Sequence, residues 1–190
     1  ALHQDEHRAL LLNAGVSLPT GSITERGDTL MGRNRKLPYP MQLGSGTFDP
    51  LLGLSYLESS DAFAYGLQLG SHIRLGKNAE GYRLGNEYRA TAWLAHPLMQ
   101  DLQGSLRLDA RRWGNIKGRD ATLNPAMVPT ARTDLRGGTQ LDALVGFNFS
   151  PSHFHGHSLG AEFGLPLYRH LDGPQLETDH RFMLGWQWAF

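Results

Sequence analysis

Three histidines stand two apart in one short segment, at His153, His155 and His157. In extended backbone alternate side chains share a face, so three imidazoles so placed could hold a divalent ion such as copper or zinc. The same spacing suits a polar turn whose histidines meet only water, and no carboxylate lies beside them to orient the rings. A second set is charged: Glu87, Arg89, Arg107, Asp109, Arg111, Asp142, Glu162 and Arg181. These are four acids and four bases on the polar stripes of alternating segments, and desolvated charges of that kind must find partners. Ser158, Glu162 and His72 supply the residue types of an acyl-transfer site. Such a site is defined by geometry, nine histidines make chance sets easy to find, and no nucleophile elbow accompanies them. No enzyme activity is therefore expected. A last group, Arg33, Arg35, Lys36, Arg112, Lys117 and Arg119, is basic and falls in polar stretches. It suits either the phosphates of lipopolysaccharide or a solvated loop.

The elements that must position these residues read as β-strands. From Phe182 the chain places Phe182, Leu184, Trp186, Trp188 and Phe190 at every second position, with Arg181, Met183, Gly185, Gln187 and Ala189 between them. A period of two is the strand signal. A stripe so apolar, ending on aromatics, fits the lipid face of an outer-membrane barrel strand and its assembly signal. Seven earlier segments alternate in the same way, near 8–18, 46–57, 62–75, 84–94, 102–111, 139–149 and 158–167. Pro50 falls on the apolar register of the second and allows a bulge or a later start. His96-Pro97 is expected to open a turn. The connections run long, short, medium, short, long, short, medium. Outer-membrane barrels alternate short periplasmic turns with longer external loops, so both chain ends are expected on the periplasmic side.

Composition bounds the alternatives. The 190 residues suit one domain, 1–190, and Lys plus Arg equals Asp plus Glu at 18 each, which gives no basic excess for nucleic acid. Cysteine is absent, so disulfides and thiolate metal sites are excluded. No apolar run approaches the ~20 residues of a spanning helix, and no signal peptide stands at Ala1, as expected of a mature chain or a fragment. The expected fold is all-β: an antiparallel up-and-down transmembrane β-barrel with about eight strands in this chain. A soluble barrel would need the apolar stripe inside. The loop-length pattern, the aromatic terminus and charges of both signs on the narrow stripe favour the membrane orientation. An eight-stranded interior is only wide enough for side chains, so its charges would pair and fill it; a wider barrel would leave a polar path.

Several stretches carry a likeness: GVSLPTGSI at 15–23, LPYPMQLGSGTFD at 37–49, WGNIKG at 113–118, LNPAMVPT at 123–130 and EFGLPLYRHLDGPQL at 162–176. Together they resemble the bacterial outer-membrane transporter family assigned to the meta-pathway of phenol degradation. The resemblance implies a Gram-negative outer-membrane location, contact with lipid, lipopolysaccharide and the outer-membrane assembly machinery, and a channel or facilitator for a small solute. That solute would be an aromatic compound or a metal ion. Some members carry a Met- and His-rich amino-terminal segment that suggests copper handling; this chain has 5 Met and no such segment. Members are usually longer at the amino end, so further strands before Ala1 are possible for the same barrel. The alternative is a non-conducting structural or binding barrel whose long loops, 19–44 and 112–136, bind a ligand or lipopolysaccharide.

Overall fold

A computed structural model of the chain describes residues 1–29 and 32–189. Phe190, the last of the aromatic series, lies outside the described residues. The elements run β1 (His3–Gln4), β2 (Arg8–Ser17), β3 (Arg26–Thr29), β4 (Gly32–Lys36), β5 (Asp49–Ser59), β6 (Ala64–His72), β7 (Tyr82–Arg83) and β8 (Glu87–Met99). After these come β9 (Leu102–Trp113), β10 (Lys117–Gly118), β11 (Gly138–Phe149), β12 (His157–Leu171) and β13 (Arg181–Trp188). Short 3-10 turns at Tyr39–Met41 and Pro129–Ala131 are the only helical elements among the described residues.

Eight long strands and the short β1 form one sheet in the order β1-β2-β5-β6-β8-β9-β11-β12-β13. Every ladder is antiparallel, and each long strand pairs with the next long strand in the chain. This is an up-and-down sheet. Among the described residues no ladder joins its two outer strands. The remaining strands form two small ribbons, β3-β4 and β7-β10, in the long connections.

Antiparallel partners share a face, so the register carries orientation from strand to strand. One row reads Leu12, Leu54, Leu69, Ala90, Ala110 and Leu141; the row beside it reads Asn13, Gly53, Gly70, Arg89, Arg111 and Gln140. The apolar face is open: Leu106 is 61% and Leu184 70% exposed. On the other face Asp142 is 4% and Leu144 3% exposed. The polar face is thus the sheltered, inner one, and the large apolar side chains point outward. The usual burial order of a soluble sheet is reversed.

Three connections are short, at 60–63, 100–101 and 150–156, and they lie at one end of the sheet; the long ones lie at the other. The turn expected at His96-Pro97 is displaced. β8 runs through both residues to Met99 and the chain reverses at Gln100-Asp101. A register shift between Pro97 and Met99 absorbs the missing proline N–H. A second irregularity beside Leu141/Asp142 does the same for Pro166 of β12. β5 starts at Asp49 rather than near Gly46, and β9 reaches Trp113, which puts Arg112 on the wall rather than in a loop.

Two glycines permit the close packing of the inner face. A Cβ on Gly66 would lie 2.7 Å from Trp93 Nε1 and 2.9 Å from Leu57 Cδ2, because the Trp93 indole lies over that gap. A Cβ on Gly164 would lie 2.6 Å from Leu144 Cγ. Around Gly70, by contrast, nothing lies within 4 Å. We expect Gly66→Ala to lower stability by about 1–3 kcal/mol through overpacking, and Gly70→Ala to be neutral or slightly stabilising. Denaturant midpoints of the refolded variants test this; equal midpoints would contradict the packing described for Trp93.

Candidate functional site

The eight charged residues singled out above all lie on the inner face and are joined in pairs. Arg111 Nε stands 2.8 Å from Glu87 Oε1, and its Nη2 donates to Oε2 at 2.9 Å. Arg89 Nε lies 3.5 Å from Asp109 Oδ1, which also accepts from Thr91 Oγ1 at 3.0 Å. Arg107 Nε approaches Glu162 Oε1 to 3.0 Å, an ionic contact without good hydrogen-bond angles. Arg181 Nη1 donates to Asp109 Oδ2 at 3.1 Å while its Nη2 bonds Asp142.

The ladder explains why the pairs run diagonally. Arg89 sits directly opposite Arg111, and Asp109 directly opposite Asp142. Like charges face to face are unfavourable. Arg89 and Arg111 therefore reach one step along the neighbouring strand for their carboxylates, Arg107 reaches over β11 to Glu162 of β12, and Arg181 forks between the two aspartates. To do so it crosses Gly164, its own ladder partner, and reaches β9, three strands away. Strands stand roughly 4.8 Å apart, so that reach, with the burial of both aspartates, describes a concave face.

At the end with the long loops the connections, expected as polar loops, fold into a cap. Tyr39, Tyr82 and Ile116 form its buried core with Leu84 and Leu123, and the two tyrosine rings meet edge to face at 4.8 Å. Lys36 is drawn into it, against the expectation of a loop cation at the surface. Its ammonium lies 2.7 Å from Glu80 Oε2 and also contacts Asp120, which is 1% exposed. Asp120 Oδ1 accepts from Thr122 N and Oγ1 at 2.8 and 2.6 Å, and the Asp120 N–H donates to Tyr39 Oη at 3.0 Å. Burial alone would push the Asp120 carboxyl up; the Lys36 and Thr122 donors outweigh it and hold the group below its ordinary 3.8. Burial likewise opposes the Lys36 charge, but Asp120 and Glu80 carry the ammonium above 10.5. Beside the cap, Asp49 is wholly buried and takes Ser45 Oγ (3.0 Å), Thr47 Oγ1 (2.7 Å) and Arg74 Nη1 (2.5 Å). The spacing Ser45-Thr47-Asp49 was the one signal in the sequence that could have found this group.

The three histidines are not brought to one point. Residues 151–157 make a double turn, with Phe154 N–H donating to Pro151 O and His157 N–H to Phe154 O, each at 3.0 Å, and Gly156 at φ 77°. The extended geometry that would align His153, His155 and His157 is therefore lost. His157 instead lies between Trp186 and Trp188, at ring distances of 5.7 and 5.6 Å, and accepts from Trp186 Nε1 at 3.2 Å. Among the described residues no three His, Asp or Glu side chains converge as a metal site. Ser158 bonds Asn148 Oδ1 (2.7 Å), Glu162 serves Arg107 and His72 Nε2 lies 3.5 Å from Asp49, so those three serve separate groups. Phe182, Leu184, Trp186 and Trp188, expected from the sequence to form an assembly signal, all lie on the outer face of β13. Of the remaining basic residues, Arg33, Arg35, Lys117 and Arg119 are exposed on or beside the ribbons.

The chain matches no family model and no curated protein.

Arg181→Leu would leave two nearly buried carboxylates facing each other. We expect a loss of about 2–3 kcal/mol, with part of it restored when Asp142→Asn is added. Absence of rescue in the denaturant midpoints would contradict the fork. The cap carries its own pH window. The depressed Asp120 contributes stability above pH 3.8 that is lost as pH falls through its lower folded value; the raised Lys36 contributes below 10.5 and is lost as pH rises past its folded value. Protection of the Asp120 and Tyr82 amides against exchange, corrected for intrinsic rates, should stay flat from about pH 5 to about pH 9. A steep change inside that window would refute the ion-pair account.

Proposed function

We propose that the chain builds the wall of a bacterial outer-membrane β-barrel that passes or facilitates the passage of a small solute. The observation that carries this reading is the reversal of the two faces. Most of the large apolar side chains of the long strands point outward, with Leu57 and Leu144 among the exceptions, while the eight paired charges and most of the serines and glycines point inward. In water such a sheet would be costly at 20–33 cal/mol for each Å² of apolar surface, whereas in hydrocarbon it is the stable arrangement.

Further features support it. The end with the short turns carries an outward belt of rings: Tyr56, Tyr65, Phe63 stacked on His96, and His157 between Trp186 and Trp188. Such rings favour the interface between lipid and water. Glu58 lies in this belt with Tyr56, Tyr65 and Arg8 around it, a polar group placed where water is within reach. On this reading both described ends of the chain and the short turns are periplasmic. Closure into a barrel is part of the proposal. The likeness to the phenol meta-pathway transporter family points to the same location and suggests an aromatic or metal solute.

The cap favours a second reading, a non-conducting barrel whose ordered loops bind a ligand or lipopolysaccharide at the cell surface. Tyr39, Ile116 and Arg136 stand beside Glu87 and Arg111 at the top of the inner face, where they narrow the way in. Conductance decides between the two.

Membrane placement has a direct test. Leu106→Arg puts a guanidinium on the outer face and should cost ~2–4 kcal/mol of insertion near the midplane, while Arg107→Leu on the inner face should insert normally. Heat-modifiable migration of protein recovered from outer membranes measures this. Equal insertion of the two variants would overturn the assignment of faces.

A further inference from the structure

The inner face is nearly neutral by count but not by exposure. The carboxylates lie low: Asp142 is 6%, Asp109 11%, Glu162 11% and Glu87 26% exposed at the side chain. Their arginine partners stand up: Arg89 is 53%, Arg111 46%, Arg107 41% and Arg181 35% exposed. The reason is geometric. An aspartate or glutamate carries its carboxyl carbon only one or two bonds beyond Cβ and stays nearer the backbone, whereas the longer arginine stem crosses over its neighbours to meet it. A guanidinium carries five N–H donors and each contact above uses one or two. Donors are therefore left over on side chains that are 35–53% exposed on the inner face.

The asymmetry continues at the long-loop end. A hollow of about 240 Å³ between the cap and the top of the inner face is lined by Arg74, Arg111 and Arg136, with Glu87 its one acid. Arg74 is committed to Asp49, but among the described residues the Arg136 guanidinium donates only to the carbonyl of Pro174, at 3.3 Å. The row Arg136, Arg111, Arg89, Arg107 therefore runs from this mouth along the wall.

We infer that the inner face selects small anions, inorganic or carboxylate-bearing, over cations of the same size. The inference rests on the channel reading and names the charge class of what passes. An ion moving along this wall meets more exposed guanidinium than carboxylate surface, and arginine rows of this kind set anion preference in pores. Positive potential inside a low-dielectric wall also concentrates anions at the mouth.

The test is the reversal potential of purified, folded protein in planar bilayers under a potassium chloride gradient. The wild-type chain should favour chloride over potassium, and benzoate added to one side should carry current. Arg89→Gln is the first variant, since Asp109 keeps Arg181 and Thr91; Arg136→Gln is the second, since it breaks no ion pair described above. Each should move the reversal potential towards zero with conductance retained. Wild-type conductance with no preference, or with a preference for potassium, would overturn the inference and leave the channel reading in place. A preference for chloride unchanged in both variants would overturn its assignment to these arginines. Folded protein that never conducts would overturn the channel reading, and the inference with it.

Discussion

Two aspartates face each other across a ladder, Asp109 and Asp142, and almost no water reaches either. Two such carboxylates repel each other across the ladder unless a cation lies between them. Arg181 is that cation, and it comes from the far strand of the sheet. Its two nitrogens bind the two carboxylates, its stem crosses the bare backbone of Gly164, and the strands between are held in a curve. The remaining inner charges adjust to this one: Asp109 is shared among Arg89, Thr91 and Arg181, which frees Arg111 for Glu87. A concave polar face follows, and with it an apolar face turned outward.

The two ends of the sheet then differ for reasons of solvent. At the long-loop end the chain has enough length to build a small separate core around Tyr39 and Tyr82, and the ion pairs of Lys36 lock two distant loops to it. At the end with the short turns there is no such length. Rings and a few polar groups line the rim instead, and His157 packs flat against two tryptophans. The same rule governs both ends and the wall between them: Asp49, Asp109, Asp120, Asp142 and Glu162, each withdrawn from water, all have a cationic partner.

The faces of the wall were legible because alternation at period two is a local property. Every one of the eight inner charges can be assigned to its face from its own strand. Their pairing was not legible, since Arg181 and Asp109 are 72 residues apart and no pattern in either segment names the other. Proline misled at His96-Pro97, where a bulge lets the strand continue, and it also set the irregularity at Pro166. The histidine spacing allowed either an aligned triad or a polar turn; the backbone turns at Gly156, and the extended geometry that a triad needs is absent there. The cap escaped notice because its ribbons are two to five residues long. Asp120 and Lys36, 84 positions apart, meet only once those ribbons are in place.

The central claim is that the apolar face meets lipid and the polar face does not. Four tryptophans divide between the faces, Trp186 and Trp188 outward and Trp93 and Trp113 inward. Single-tryptophan variants retaining either Trp186 or Trp93, reconstituted in vesicles of brominated and of ordinary lipid, compare them directly. The account predicts strong quenching of Trp186 by the brominated chains and little quenching of Trp93. Equal quenching of the two, or stronger quenching of Trp93, would contradict it.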